Sequence, residues 1–182
     1  MKWNILASRI IRSDRWIHLR ADRCRMPDGQ ILDPFYVLEY PDWLNAVALT
    51  CDGQVILTRQ YRHGVGSVIL ELPSGTVEET DPSPEAAMRR ELLEETGYTF
   101  SELYATSVVS SNPDKCTNLV HTFLAVGGKQ VQEPNPGQGE QIELELVPLP
   151  EFRRLLRENA FLQSMHVASA YYALAHLDRF GS

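Results

Sequence analysis

The sequence predicts an α/β protein in which a mixed β-sheet packs between helices and an added layer of strands comes first. Strand-like segments and helical segments follow one another without regular alternation, which favours a mixed sheet. A central helical segment has clear start and stop signals, and two more helices follow late in the chain. Residues 1–44 contain only strand-like segments. We therefore expect residues 1–44 to form an N-terminal strand region and residues 45–182 to form the main domain.

The strands are predicted from apolar alternation and from turn signals. Ile17, Leu19 and Ala21 place apolar side chains on one face of an early segment, and Asp52-Gly53 is typical of a β-hairpin turn. Pro27-Asp28-Gly29 marks another turn. The predicted strands cover residues 3–12, 15–25, 31–40, 45–50, 54–60, 67–72, 103–110, 118–126 and 141–147.

The helices are predicted mainly from their ends. Ser83 can cap the first helix, Pro84 suits its first turn, and Gly97 can adopt the left-handed conformation that ends it. Two further helices are predicted near residues 149–158 and 163–178. In the last helix, a stripe at helical spacing is expected to pack in the core: Met165, Ala168, Tyr172 and Ala175. Residues 127–140, with four glycines and two prolines, are predicted to form a long loop.

Composition and charge argue against several classes of protein. A net charge of −7 and a pI of about 5.2 disfavour a nucleic-acid-binding surface, although a metal ion could still attract a small phosphate-containing molecule. The apolar runs are too short to span a bilayer and the N-terminus lacks a signal-peptide core, so we expect a cytoplasmic protein without membrane contact. Cys24, Cys51 and Cys116 are widely spaced and are expected to be buried thiols.

Three glutamates on the central helix form the most informative cluster. Glu91, Glu94 and Glu95 are three or four residues apart, so they share one helix face and repel one another. Arg90 is expected to neutralise only part of this charge. A hard divalent ion such as Mg²⁺ or Mn²⁺ would relieve the repulsion and accept phosphate oxygens as further ligands. The alternative is a solvated acidic helix face without a metal.

The context of this cluster resembles the Nudix box. The motif reads Gly, five residues, Glu, seven residues, then Arg-Glu-U-x-Glu-Glu-x-Gly-U, where U is apolar. The matching residues are Gly75, Arg90, Glu91, Leu92, Glu94, Glu95, Gly97 and Tyr98. The resemblance implies a Nudix-type α/β/α sandwich in which Glu91 and Glu95 bind the metal. It also implies that Glu94 is a metal ligand or catalytic partner, that Arg90 orients the cluster, and that the Ser74 carbonyl reaches the metal.

The chain departs from the motif at one point. Gly75 and Arg90 are fifteen positions apart, whereas the motif places them fourteen apart. Counted back from Arg90, the first glutamate of the motif falls on Pro82, with Asp81 beside it. We interpret this as a one-residue insertion before the helix, with Asp81 as a substitute for the missing glutamate. The insertion leaves open an altered or lost activity.

Beyond the box, the chain is similar to the ADP-ribose and nucleotide-sugar branch of the family. The resemblance rests on the N-terminal strands, on the segment that ends at Arg62, and on Pro113, fifteen residues past the box. It implies substrate contacts by Arg62, Glu71 and Pro113. For Arg62 an exposed strand-end position is an equal alternative, and for Glu71 a pairing with a neighbouring strand is slightly favoured. Glu140, between glycines of the long loop, is the candidate general base or additional metal ligand.

The resemblance implies a Mg²⁺-dependent hydrolase, with Mn²⁺ as an alternative ion, that cleaves the diphosphate of ADP-ribose or a related nucleoside diphosphate derivative. The products would be a nucleoside monophosphate and a phosphorylated sugar. The alternatives are another nucleotide sugar or dinucleotide as substrate, or a non-catalytic ligand sensor. In this branch the N-terminal strands commonly form a dimer interface, so a homodimer is expected.

Overall fold

The computed structural model describes residues 2–137 and 141–180. Its strands are β1 (Asn4–Ser13), β2 (His18–Arg25), β3 (Ile31–Leu38), β4 (Trp43–Thr50), β5 (Gln54–Arg62), β6 (Ser67–Glu71), β7 (Ser74–Thr76), β8 (Tyr98–Thr99), β9 (Glu102–Val109), β10 (Val120–Gln130) and β11 (Ile142–Pro148). Its helices are α1 (Pro84–Thr96), α2 (Leu149–Arg157) and α3 (Ser164–Phe180).

Every predicted strand and helix is present, with ends shifted by a few residues. The short strands β7 and β8 were not predicted, because three and two residues are too few to show an alternating pattern. The predicted loop 127–140 is partly wrong, since β10 continues to Gln130. Gly127 and Gly128 interrupt the strand pattern in sequence, but the structure accommodates them as an irregularity in the pairing of β10 with β4.

The chain divides into two compact units, and the first comprises Met1–Pro41 and Ser110–Leu119. Its core element is an antiparallel sheet in the order β1-β2-β3. The segment Ser110–Leu119 is attached to β3 by backbone hydrogen bonds. The Leu38 N–H donates to the Lys115 carbonyl at 2.7 Å, and the Thr117 N–H donates to the Leu38 carbonyl at 3.1 Å.

The second unit, Asp42–Val109 and Val120–Ser182, contains an eight-stranded sheet. Its main path runs β11-β5-β4-β10-β8, and β6, β7 and β9 pair with β5, β4 and β10. The β4–β10 pair is parallel and the other pairs are antiparallel, so the predicted mixed sheet is confirmed.

Helices cover both faces of this sheet. On one face α1 packs its buried Ala87, Met88 and Leu92 against residues of β4, β5 and β10. On the other face, side chains of α2 and α3 pack against β4, β5, β6 and β11. The second unit is therefore an α/β/α sandwich, as predicted. The sheet carries β7 close to α1, which sets up the site described below.

The packing stripe predicted for α3 is wrong by one residue along the helix. Tyr172 is 48% exposed, and the buried residues are His166, Ser169, Ala170, Ala173 and Leu174. Both sets have helical spacing, but the true buried face includes a histidine and a serine, which a search for apolar residues passes over.

The buried-thiol prediction holds for only one of the three cysteines. All three are free thiols: Cys24 is buried, Cys116 is partly buried, and Cys51 is exposed in the turn after β4. Among the helices of residues 2–137 and 141–180, none is long and apolar enough to cross a bilayer.

Candidate functional site

The ends of α1 are fixed as the sequence predicted. The Ser83 hydroxyl accepts a hydrogen bond from the Ala86 N–H at 3.1 Å. Gly97 has φ of 76°, and its N–H donates to the Leu93 carbonyl at 2.9 Å. With Met88 and Leu92 buried in the core, the helix is held in one rotation about its axis. This rotation turns Glu91 and Glu95 toward β7.

Two carboxylates of α1 accept hydrogen bonds from alternate backbone amides of β7. Glu95 Oε2 accepts from the Ser74 N–H at 2.9 Å, and Glu91 Oε1 accepts from the Thr76 N–H at 3.2 Å. The other edge of β7 pairs with β4. Ser74 and Thr76 therefore have their N–H groups bonded to the helix, which satisfies groups that the sheet leaves free. The two carboxylates are held side by side at the strand.

Gly75 is required for this close approach. A Cβ atom at position 75 would lie 2.0 Å from Cδ and 2.2 Å from Oε1 of Glu91, far inside any permitted contact. The sequence identified Gly75 as a motif position but did not reveal its neighbour. The structure shows that the absence of a side chain makes room for the Glu91 carboxylate.

Arg90 is the centre of the charged cluster. Its guanidinium donates to Asp81 at 2.9 Å, to Glu94 at 3.1 Å and to the Thr76 carbonyl at 3.1 Å. It also lies 3.1 Å from Glu91 Oε1. The hydrogen bond with Asp81 is the main reason why the pKa of Arg90 is raised above its usual range and why the pKa of Asp81 is lowered. Asp81, next to the inserted position, is thus one of the carboxylates held by Arg90.

Arg90 offsets only part of the negative charge of the cluster, as expected from the sequence. Its single positive charge is shared by Asp81, Glu91 and Glu94, while Glu95 is bonded to a backbone N–H. Net negative charge therefore remains beside β7, where a divalent ion would offset it.

The three glutamates differ in burial. The side chain of Glu94 is 46% exposed, that of Glu91 is 14% exposed, and Glu95 is 7% exposed. Burial raises the pKa of Glu91, an effect that the nearby Arg90 and the Thr76 N–H oppose. Glu91 is thus an ionisable group held in a position that disfavours its charge.

Glu91 and Glu95 open onto a cleft of about 550 Å³, a size suited to a nucleotide-like ligand. The remaining lining residues are Trp43, Leu44, Gln60, Arg62, Gly64, Val65, Ile69, Ser74, Gly75, Thr76, Leu162, Gln163 and Met165. The cleft therefore has a carboxylate end on α1 and a wall that is mainly apolar. Leu162 and Met165 were not identified from the sequence as cleft residues, because they come from segments far from the motif.

Arg62 and Glu71 form an ion pair beside the cleft. Arg62 Nε lies 3.1 and 3.0 Å from the two oxygens of Glu71, and an Nη atom lies 2.8 Å from one of them. Glu71 is only 1% exposed, whereas the Arg62 side chain is 40% exposed and lines the cleft. The favoured alternative for Glu71, a pairing with the neighbouring strand, is what the structure contains.

The donor set of the cleft fits a divalent metal ion that is only partly held by protein. Glu91 and Glu95 supply hard carboxylate oxygens at one end of the cleft. Within residues 2–137 and 141–180, no group of three or more His, Cys, Asp or Glu side chains is arranged to hold a metal. Mg²⁺ is commonly bound by one or two carboxylates together with substrate phosphates and water. Two carboxylates beside an open cleft match this mode of binding.

Two predicted site residues remain, Pro113 and Glu140. Pro113 belongs to the first unit, on the segment Ser110–Leu119. Glu140 lies outside the described residues.

Comparisons with known proteins show which families and folds this chain is similar to. Residues 42–166 match the family described as NUDIX domain, and residues 3–38 match the nucleoside diphosphate sugar hydrolase N-terminal domain. An ADP-ribose pyrophosphatase of Bacillus subtilis is 27% identical over 94% of this chain and 90% of that protein. An ADP-sugar pyrophosphatase of Mus musculus is 38% identical over 62% of this chain and 53% of that protein. The crystal structure of an ADP compounds hydrolase superposes on this chain with a TM-score of 0.86 and 21% sequence identity. The superposition covers 100% of this chain and 97% of the other chain, which indicates the same fold.

Proposed function

Because this chain belongs to the Nudix family of pyrophosphohydrolases, we propose that it hydrolyses the diphosphate linkage of ADP-ribose or of a closely related nucleoside diphosphate derivative. Water attacks one phosphorus, and the bond from that phosphorus to the bridging oxygen breaks. The products are a nucleoside monophosphate and a phosphorylated sugar. The names of the similar proteins, ADP-ribose pyrophosphatase and ADP-sugar pyrophosphatase, support this substrate class.

One observation carries the proposal: two carboxylates, each anchored on a backbone N–H of β7, open onto a nucleotide-sized cleft. We propose that Glu91 and Glu95 hold a divalent ion there, with Glu94 and the Ser74 carbonyl as further candidate ligands. Mg²⁺ is the proposed ion and Mn²⁺ a substitute. When bound, the ion supplies positive charge that binds phosphate oxygens and offsets the charge developing on the leaving phosphate.

The residues of the chain have separate proposed roles. Arg90 keeps the glutamate carboxylates in place through its contacts with Asp81, Glu91 and Glu94. Arg62, positive and partly exposed in the cleft, binds a phosphate of the substrate, while Glu71 fixes its orientation. Glu94 and Glu140 are the proposed groups for accepting a proton from the attacking water. The substrate contact of Pro113 and the cytoplasmic location of the protein remain predictions.

We also propose that the protein is a homodimer that associates through β1. All ten residues of this edge strand are exposed in the single chain, and they include four large aliphatic side chains: Ile5, Leu6, Ile10 and Ile11. An edge strand with unpaired backbone groups and exposed apolar side chains is a surface suited to pairing with another chain.

To test the function, the protein is incubated with Mg²⁺ or Mn²⁺ and with one substrate of a panel: ADP-ribose, nucleotide sugars, dinucleotides and nucleoside triphosphates. The product from which a phosphatase can release phosphate is then measured. We expect turnover of ADP-ribose that is lost in Glu95→Gln. The amide oxygen of glutamine can still accept from the Ser74 N–H, so the fold should persist. Glu143→Gln, at an exposed position of β11, is the matched control and should retain activity.

The outcomes separate the alternatives. Turnover of a dinucleotide or of another nucleotide sugar in preference to ADP-ribose would reassign the substrate. Tight binding across the panel without turnover would contradict the proposal and would favour a ligand sensor.

A further inference from the structure

His166 connects the beginning of α3 to the link between β6 and β7. Its Nδ1 atom accepts a hydrogen bond from the Leu72 N–H at 3.0 Å, and the side chain is fully buried at 0% exposure. Burial lowers the pKa of His166 to about 3, with a smaller contribution from the positive charge of Arg62. The ring is therefore neutral at ordinary pH, and Nδ1 is free of a proton and able to accept.

The second ring nitrogen of His166, Nε2, distinguishes this residue from an apolar core side chain. Nε2 of His166 is buried without a hydrogen-bond partner among the described residues. An unpaired buried donor is unfavourable, and an aliphatic side chain would fill the space without that cost. Such a replacement would, however, leave the Leu72 N–H without its acceptor. The hydrogen bond at Nδ1 is thus the feature that favours histidine here.

The bonded amide belongs to the link between β6 and β7, which is fixed by three different elements. The Leu72 N–H is held by α3 through His166, and the Pro73 carbonyl accepts from Ala46 of β4 at 3.1 Å. The Ser74 N–H donates to Glu95 of α1 at 2.9 Å. Together with the pairing of β7 with β4, these three bonds determine where β7 lies relative to Glu95.

The same end of α3 also forms part of the cleft wall. Gln163 and Met165, which directly precede the buried His166 in sequence, line the cleft. One buried side chain therefore joins the wall to the strand on which the carboxylates are anchored. A shift of this link would move the Ser74 amide away from Glu95.

We propose that His166 is a positioning residue: by holding the Leu72 N–H, it sets the position of β7 and thereby keeps Glu91 and Glu95 in place to bind a divalent ion. This inference rests on the proposed function, but it is tested on the protein without substrate.

The experiment compares His166→Phe with His166→Asn. Phenylalanine fills the site without an acceptor, whereas the asparagine oxygen occupies about the position of Nδ1. The dissociation constant of Mn²⁺ is measured by electron paramagnetic resonance, and exchange of the Leu72 amide is measured by NMR. We expect His166→Phe to weaken Mn²⁺ binding about tenfold and to speed exchange of this amide, and His166→Asn to restore both to within about twofold of the wild type.

Two further variants separate positioning from general stability. Leu156→Ala removes a buried side chain of the same core on α2 and should lower the melting temperature without weakening Mn²⁺ binding. His166→Gln carries an oxygen near the position of Nε2 and should behave like His166→Phe, which keeps the test usable if the phenylalanine variant does not fold. Mn²⁺ binding by His166→Phe or His166→Gln equal to that of the wild type would overturn the proposal. A wild type that binds Mn²⁺ but hydrolyses nothing would refute the proposed function and leave this inference standing.

Discussion

Glu91 is a residue whose position lowers the stability of the fold. Burial raises its pKa in the folded protein, so the charged form is less favourable there than in the unfolded chain. A carboxyl group whose pKa is higher in the folded protein than in the unfolded chain adds most to stability at pH values below its pKa in the unfolded chain. This stability is lost as the pH rises through its pKa in the folded protein. At neutral pH the charge on Glu91 therefore favours unfolding, which is consistent with selection for a role in the site.

We predict that Glu91→Gln raises the melting temperature at pH 7 to 8 in the presence of EDTA while it abolishes hydrolysis. The amide oxygen can still accept from the Thr76 N–H, but the buried charge is gone. The difference from the wild type should shrink as the pH falls toward the usual carboxyl pKa of about 4.3. Thermal unfolding between pH 4 and pH 8 measures this, and a variant less stable than the wild type at pH 7 would contradict it.

Gly75 is predicted to tolerate no side chain, because a Cβ atom would overlap the Glu91 carboxylate. We expect Gly75→Ala to reduce kcat/KM by about 100-fold by displacing that carboxylate, and to cost about 1–3 kcal/mol in the free energy of unfolding. Gly64→Ala is the control for the free energy of unfolding, since a Cβ atom there meets nothing within 4 Å. Activity of Gly75→Ala equal to that of the wild type would show that Glu91 moves aside without consequence.

At the scale of the elements, β5 and β6 are joined by the pair of Arg62 with the buried Glu71. We expect Arg62→Met to lower the free energy of unfolding by about 2–3 kcal/mol, less than for a fully buried pair because Arg62 is partly exposed. Arg59→Met is the control, because the Arg59–Glu145 pair lies at the surface and should contribute below about 1 kcal/mol. Urea denaturation distinguishes the two. A similar loss in the free energy of unfolding for Arg62→Met and Arg59→Met would indicate that burial of Glu71 does not strengthen the pair.

The same substitution bears on function, since Arg62 also lines the cleft. If Arg62 binds a phosphate, Arg62→Met should raise KM for ADP-ribose, whereas Arg59→Met should leave KM near the wild-type value. Steady-state kinetics at temperatures where both variants remain folded give the comparison.

At the scale of the whole molecule, the exposed apolar side chains of β1 predict association. We expect size-exclusion chromatography with light scattering to give a dimer for the wild type at micromolar concentration and a monomer for Ile10→Asp, because a charge would be buried in the interface. Val68→Asp, at a similarly exposed position of β6, is the control and should remain a dimer. A monomeric wild type would contradict the proposal.

Much of the fold was predictable because its signals are local. Ser83, Pro84 and Gly97 mark the ends of α1 through backbone chemistry that depends only on neighbouring residues. The alternation and turns that predict most strands are equally local. The stripe of α3 and the strands β7 and β8 were missed, because burial of His166 and pairing of two or three residues depend on contacts with distant segments.

The sequence alone determined the mixed α/β class, the extent of α1 and the presence of three glutamates on one of its faces, since these follow from spacing along the chain. The tertiary structure decided which partners those glutamates have: Arg90 for Glu91 and Glu94, and the amides of β7 for Glu91 and Glu95. It also decided that Gly75 makes room for Glu91 and that His166 holds Leu72. Hydrogen bonds and steric contacts between residues far apart in sequence depend on positions in three dimensions, and those positions are set only when the core packs.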